Sequence, residues 1–186
     1  MNENSLFNIP YYTIPVLDFE EKKIKLIDLL KRFPEKKHGL QNFSTNKQTN
    51  RYGLTNFFTK IIDDELKILS QMVKSSFKIT DVWSVSYEKG EDHPPHNHGT
   101  AGLSGILYLD LPEDAPVTNY MQPWQDIKCN DSVYYPLPVT EGSIVVVPKF
   151  VLHFSPPNSS ESKKRIVSWD MEFISEPSLN IPIKWR

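Results

Sequence analysis

The 186-residue sequence has a single cysteine, Cys129. No internal disulfide can form, which permits a reducing compartment, and a cytoplasmic location is expected. Glycine is scarce, at seven residues, and this excludes collagen-like or glycine-rich low-complexity chains. No apolar run approaches the roughly 20 residues of a membrane-spanning helix. A basic-then-apolar secretory leader is also missing. Neither sign of charge dominates: 21 basic residues face 23 acidic ones, for a net charge of −2. No global field therefore draws the molecule to nucleic acid or an anionic membrane, and neither is expected as a partner. Internal repeats are absent.

What remains is the composition of a globular protein, 39% apolar and 24% charged, of a length that suits one domain with a sizeable core. A single domain over 1–186 is expected, with a helical support region (1–78), a β core (79–176) and an extended tail (177–186). Tyr11, Tyr12, Ile14 and Val16 follow Pro10 in a run interrupted by Pro15, and proline within such a run points to an edge strand. Ile24, Ile27 and Leu30 recur at helical spacing, which predicts a helix over 19–33 with Asp18 as cap and Pro34 as stop. Phe58, Ile61, Ile62, Leu66, Leu69, Met72 and Val73 predict a second helix over 56–77. From Ile79 onward short strands are expected at 79–87, 103–111, 133–139, 142–147, 151–154 and 165–173. The irregular stretch 112–140 is long enough to be functional, as a lid or otherwise. Two helices followed by short strands predict a mainly β, α+β fold: a double-stranded β-helix, or jelly roll, supported by N-terminal helices.

Three of the five histidines fall in one stretch, His93-Pro94-Pro95-His96-Asn97-His98. Residues two apart on a strand share a face, so His96 and His98 can reach one ion. Neutral imidazole suits iron, zinc, copper or nickel. His153, after the apolar run 144–147 and a turn at Pro148, is the candidate third ligand. His93, with odd spacing and flanking prolines, is expected to point away. A His-x-His in a proline-rich loop is equally the composition of a solvated turn; the strands on either side favour a site at the mouth of a barrel. In the last strand Arg165 shares an alternation face with Val167, Trp169, Met171 and Phe173. If that face is interior, the guanidinium needs an anion, and a ligand carboxylate would serve. If the residue only begins the strand, it lies in solvent.

The run Tyr87-x-x-Gly90, then His96-x-His98, resembles the first motif of iron(II)- and 2-oxoglutarate-dependent dioxygenases of the prolyl-hydroxylase type. Leu103 to Leu109, with Tyr108, resembles the strand that follows it in that family. Glu141-Gly142 through Pro148 and then His153 resembles the strand, turn and distal histidine, and Arg165 stands at the place of the basic residue. Leu6-Phe7-x-Ile9-Pro10 and His38-Gly39-Leu40-Gln41-Asn42 resemble N-terminal features of a bacterial and phage subgroup with a His-x-His first motif. The resemblance implies Fe(II) held by His96, His98 and His153. It also implies 2-oxoglutarate as co-substrate, with Arg165 and Tyr108 at its far carboxylate and Tyr87 near its chelating end, and O2 as oxidant. The activity implied is a hydroxylase-type oxidation coupled to decarboxylation of 2-oxoglutarate to succinate. The substrate is unnamed; a small molecule or a peptidyl side chain is expected, and a homodimer is admitted. One departure stands out: His98 occupies the position of the carboxylate in the common two-His-one-carboxylate site. Gly90, His96-Asn97-His98 and Gly142 to Pro148 with His153 also resemble cupin motifs. The alternatives are therefore a cupin-like three-His metalloprotein (dioxygenase, isomerase or binding module) or an inactive jelly-roll scaffold.

Overall fold

The structure is a computed structural model that describes residues 9–126, 128 and 130–174. The expected tail, Cys129 and residues 6–8 of the N-terminal motif lie outside the described residues. Among the described residues ten strands form two antiparallel sheets that face each other. The larger runs β1 (Tyr12–Pro15), β8 (Ser143–Pro148), β5 (Leu103–Asp110), β10 (Lys164–Phe173), β3 (Phe77–Tyr87) and β2 (Ser44–Thr45), in that spatial order. The smaller runs β4 (His93–His96), β9 (His153–Ser155), β6 (Asn119–Met121) and β7 (Tyr134–Pro136). This is the expected double-stranded β-helix. Proline-bracketed β1 is an edge strand, paired only with β8, where a missing backbone donor costs least.

Helices α1 (Phe19–Lys31), α2 (Leu54–Ile61) and α3 (Asp63–Val73) cover the outer face of the larger sheet. Leu26, Leu29, Leu30, Leu54, Phe58, Ile62 and Leu69 pack there against Val82, Leu107, Val146, Val167, Trp169 and Met171. Trp169 is fully buried with its ring 5.1 Å from that of Phe58. The indole fits because Gly105 lies across the strand pair; a Cβ there would fall 2.2 Å from the indole ring. A second apolar cluster fills the space between the sheets: Phe43, Trp83, Val85, Tyr87, Ile106, Tyr108, Tyr120, Val145, Val147 and Ile166.

Several local expectations need correction. The helix expected over 56–77 is two helices broken at Ile62, whose φ of −106° and ψ of 25° are not helical. Asp63, Asp64 and Glu65 open the new helix, where acidic side chains favour the N-terminal end of the dipole. Buried Glu65 accepts hydrogen bonds from Leu17 N and Lys22 Nζ, which ties α3 to α1 and to the turn between β1 and α1. Residue 77 belongs to β3. Asp18 does not cap α1: it takes a left-handed conformation (φ 50°) with no capping hydrogen bond. The 112–140 stretch is part of the barrel wall, because its strands β6 and β7 extend the smaller sheet beside β9.

Candidate metal centre

β4 and β9 pair so that His96 lies directly opposite His153, at the irregular end of the smaller sheet. His98 lies beyond the end of β4, outside any strand; its backbone N–H donates to Lys149 O at 2.9 Å. Strand alternation therefore accounts only in part for the His-x-His pair, and the loop hydrogen bond does the rest. One ring nitrogen from each of His96, His98 and His153 lies within 4.8 Å of the others. His153 is buried, and the His98 side chain is only 4% exposed.

Hydrogen bonding decides which nitrogens are free. His96 Nδ1 is 2.9 Å from Pro94 O, and His153 Nδ1 is 3.0 Å from Val151 O. Carbonyl oxygens only accept, so both Nδ1 atoms carry the proton. His98 Nδ1 is 2.8 Å from Asp170 Oδ1 and 2.9 Å from Ser104 Oγ, while the Ser104 hydroxyl donates to Trp169 O. Here too Nδ1 is the donor. In its neutral form each ring is then the Nδ1–H tautomer with its lone pair on Nε2, the form that a metal requires. Burial, together with the neighbouring rings, pulls His153 down to about 3. Burial likewise lowers His96. Neutral rings are what a cation needs, so the donor set fits a divalent transition metal.

His93 does not point away. Its ring stacks on those of His96 and Phe43, each at 4.0 Å, and its Nδ1 lies 3.5 Å from Tyr87 Oη. Burial first, then the adjacent imidazoles, lowers it to about 3. It lines the cleft with Trp83, Val85, Ile106, Thr118, Ile166 and Ser168 but stays outside the converging group.

On β10 the basic side chain that faces the interior is that of Lys164, whereas Arg165 was expected there. Arg165 does share a face with Val167, Trp169 and Met171, but that face packs against the helices. It lies opposite Ser86 and Asp110, with Nη1 3.6 Å from Asp110 Oδ2 and Nε 3.8 Å from Glu35 Oε1. Both faces of β10 are buried, so a tryptophan and a methionine on one of them do not mark the site side. Lys164, Ile166, Ser168 and Asp170 face inward. Fully buried Lys164 lies opposite Tyr87, with Nζ 4.7 Å from the centre of its ring. Nζ donates to Ser155 Oγ at 2.6 Å and Pro116 O at 2.8 Å, and no described carboxylate pairs with it. Burial pulls this ammonium down to about 8. A buried cation held by neutral oxygens alone has room, electrostatically, for an anion.

Tyr87 and Tyr108 are both buried in the interior cluster. Tyr108 Oη accepts from Thr118 N at 3.3 Å. Sequence reasoning missed Lys164, Asp170, Ser104 and Ser155. The strand register, which sets Lys164 beside Tyr87 and Asp170 beside Ser104, and the hydrogen bond from Lys164 Nζ to Ser155 Oγ reveal them.

Residues 81–170 match the family model described as "Putative 2OG-Fe(II) oxygenase". No curated protein matches the chain significantly. Solved structures do. The epimerase SnoN, in complex with Fe3+, alpha ketoglutarate and nogalamycin RO, superposes with a TM-score of 0.66 at 13% identity, over 88% of this chain and 79% of that one. HygX from Streptomyces hygroscopicus, with nickel, 2-oxoglutarate and hygromycin B bound, gives 0.65 at 10% identity, over 88% and 83%. The viral collagen prolyl hydroxylase of Paramecium Bursaria Chlorella virus-1, as its 2OG complex, gives 0.56 at 16%, over 87% and 94%.

Proposed function

We propose a site assignment for a chain whose residues 81–170 match the 2OG-Fe(II) oxygenase family model. The protein is an iron(II)- and 2-oxoglutarate-dependent oxygenase; the cupin-like alternative is not favoured. His96, His98 and His153 would hold the metal through Nε2, and the single observation that carries this is the commitment of all three Nδ1 atoms to acceptors. Iron bound there, with 2-oxoglutarate and O2, supplies oxidation of a substrate coupled to decarboxylation of the co-substrate to succinate.

The chain's own residues bind and orient. Lys164 would take the far carboxylate of 2-oxoglutarate as a charge-assisted hydrogen-bond donor, with Ser155 fixing its Nζ and the Tyr87 ring beneath it. Tyr108, buried opposite Ile166 on the neighbouring strand, would wall the same interior cluster and exclude water. Arg165 is left out of this role by its outward face. Trp83, with its ring 5.3 Å from that of His98 and the Lys47 ammonium 3.7 Å over its centre, borders the histidine cluster on the His98 side and would meet the substrate.

The substrate in this reading is a small molecule or a peptidyl side chain. All the site residues come from one chain, so the assignment needs no homodimer. The three-region division (1–78, 79–176, 177–186) within one domain is kept as part of the proposal, as is a cytoplasmic location; among the described residues no helix is long and apolar enough to cross a membrane.

The test is turnover without added substrate. Fe(II)-loaded protein in air should convert 2-oxoglutarate slowly to succinate, and His153→Ala should not. Equal succinate from the two proteins would overturn the assignment.

A further inference from the structure

Three imidazole ligands would bring no charge to a metal, whereas the common site of this chemistry carries one carboxylate on the metal. The chain does have a carboxylate at that corner, one bond network further out. Asp170 Oδ1 accepts from His98 Nδ1 at 2.8 Å, and His98 holds the very position a carboxylate would take. Ser104 Oγ, 2.9 Å from the same Nδ1, passes its own proton to Trp169 O, so it too only accepts from the ring. Asp81, directly across the strand pair from Asp170, is bound to Arg51 at 2.8 Å and is not available. The Asp170 side chain is 16% exposed, shielded enough for its charge to act on the ring.

We propose that Asp170 is a positioning residue that supplies, through the His98 imidazole, the negative charge that a directly bound carboxylate otherwise gives the metal. The idea rests on the reading of His98 as a ligand. A carboxylate behind a metal-bound imidazole fixes its tautomer and raises its basicity, and removal of such partners weakens metal binding by about 10–100-fold. The network separates the two roles. Ser104 gives orientation without charge; Asp170 gives both.

The experiment measures Fe(II) and Co(II) affinity, and the Fe(III)/Fe(II) potential, for wild type, Asp170→Asn and Ser104→Ala, with the melting temperature of each metal-free protein as a check on folding. Asp170→Asn keeps an acceptor oxygen for Nδ1–H but loses the charge. It should weaken Co(II) binding at least tenfold and raise the potential, because lost negative charge disfavours the ferric ion more than the ferrous. Ser104→Ala should lower affinity less and leave the potential in place. Wild-type affinity and potential in Asp170→Asn would overturn the inference while leaving the three-His site standing. Equal losses in both variants with an unmoved potential would also overturn it, since orientation alone would then explain the contact. Failure of the wild type to bind either metal would remove both the inference and the reading beneath it.

Discussion

Lys164 and Arg165 are neighbours in sequence that face opposite sides of one strand. Lys164 lies opposite Tyr87 in the interior, and Arg165 lies opposite Ser86 on the helix-covered face. A strand alternates strictly, so only one of the two can serve a ligand between the sheets. Replacement of Lys164 by methionine, close in length and apolar, should weaken 2-oxoglutarate binding at least tenfold. A hydrogen bond to a charged group contributes about 1.5–3 kcal/mol, and ~1.4 kcal/mol is a factor of ten. Arg165→Ala should bind 2-oxoglutarate nearly as the wild type does. Calorimetric titration of the two metal-loaded variants checks this, and the opposite ranking would return the anchor to Arg165.

The buried ammonium also sets a pH dependence. Lys164 is held at about 8 by burial, below its ordinary 10.5. Between those values the unfolded chain holds this proton more tightly than the folded one. The Lys164 contribution to stability therefore rises as pH climbs through the window, being unfavourable below it. Ligand binding runs the other way: the carboxylate needs the charged form, so 2-oxoglutarate affinity should fall as pH rises above about 8. Near that pH, binding should also take up protons, visible as a binding heat that depends on the ionisation heat of the buffer. Lys164→Met should show neither effect.

The helix-facing side of the sheet makes a separate prediction. Trp169→Ala should destabilise by about 3–5 kcal/mol, as for a large aromatic removed from a core. Gly105→Ala should cost about 1–3 kcal/mol, because its methyl would meet the indole. Denaturant melts of both variants decide this, and an unchanged midpoint in either would show that the indole does not fill the space over Gly105.

The parts of the site legible in sequence were those with a local signature. His96 and His98 are two apart, and His153 follows an apolar strand and a Pro148 turn; these spacings survive because each lies within a few residues of the strand that carries it. The fold was legible for the same reason, as amphipathic helices followed by short alternating strands. The break at Ile62 was not, because its apolar stripe continues through both helices. Nor was the side of β10 that faces the metal. When helices cover one face of a sheet and a second sheet covers the other, both faces are apolar, and alternation gives two sets without naming the inner one. Asp170 and Lys164 become site residues only through pairing with β3 and β5, more than 50 residues away in sequence.

The four clustered histidines should separate by function. His96→Ala, His98→Ala and His153→Ala should each weaken Fe(II) binding at least tenfold, because each removes one of three protein ligands. His93→Ala should leave affinity within a few-fold of wild type, since His93 stacks on His96 and faces Tyr87 Oη outside the converging group. Fe(II) or Mn(II) titration of the four variants measures this. A His93 variant that binds as weakly as the other three would redraw the ligand set.

The most direct measurement is titration of 2-oxoglutarate, without oxygen, into the protein with and without Fe(II). The three histidines line one cleft with Tyr87 and with Ser155, which holds the Lys164 ammonium, so the co-substrate should be gripped by metal at one end and by that ammonium at the other. Tight binding of one 2-oxoglutarate per chain is predicted for the Fe(II)-loaded protein, strongly reduced when the metal is left out and lost in His98→Ala. Binding of equal strength with and without Fe(II), or no binding to the loaded protein, would contradict the account.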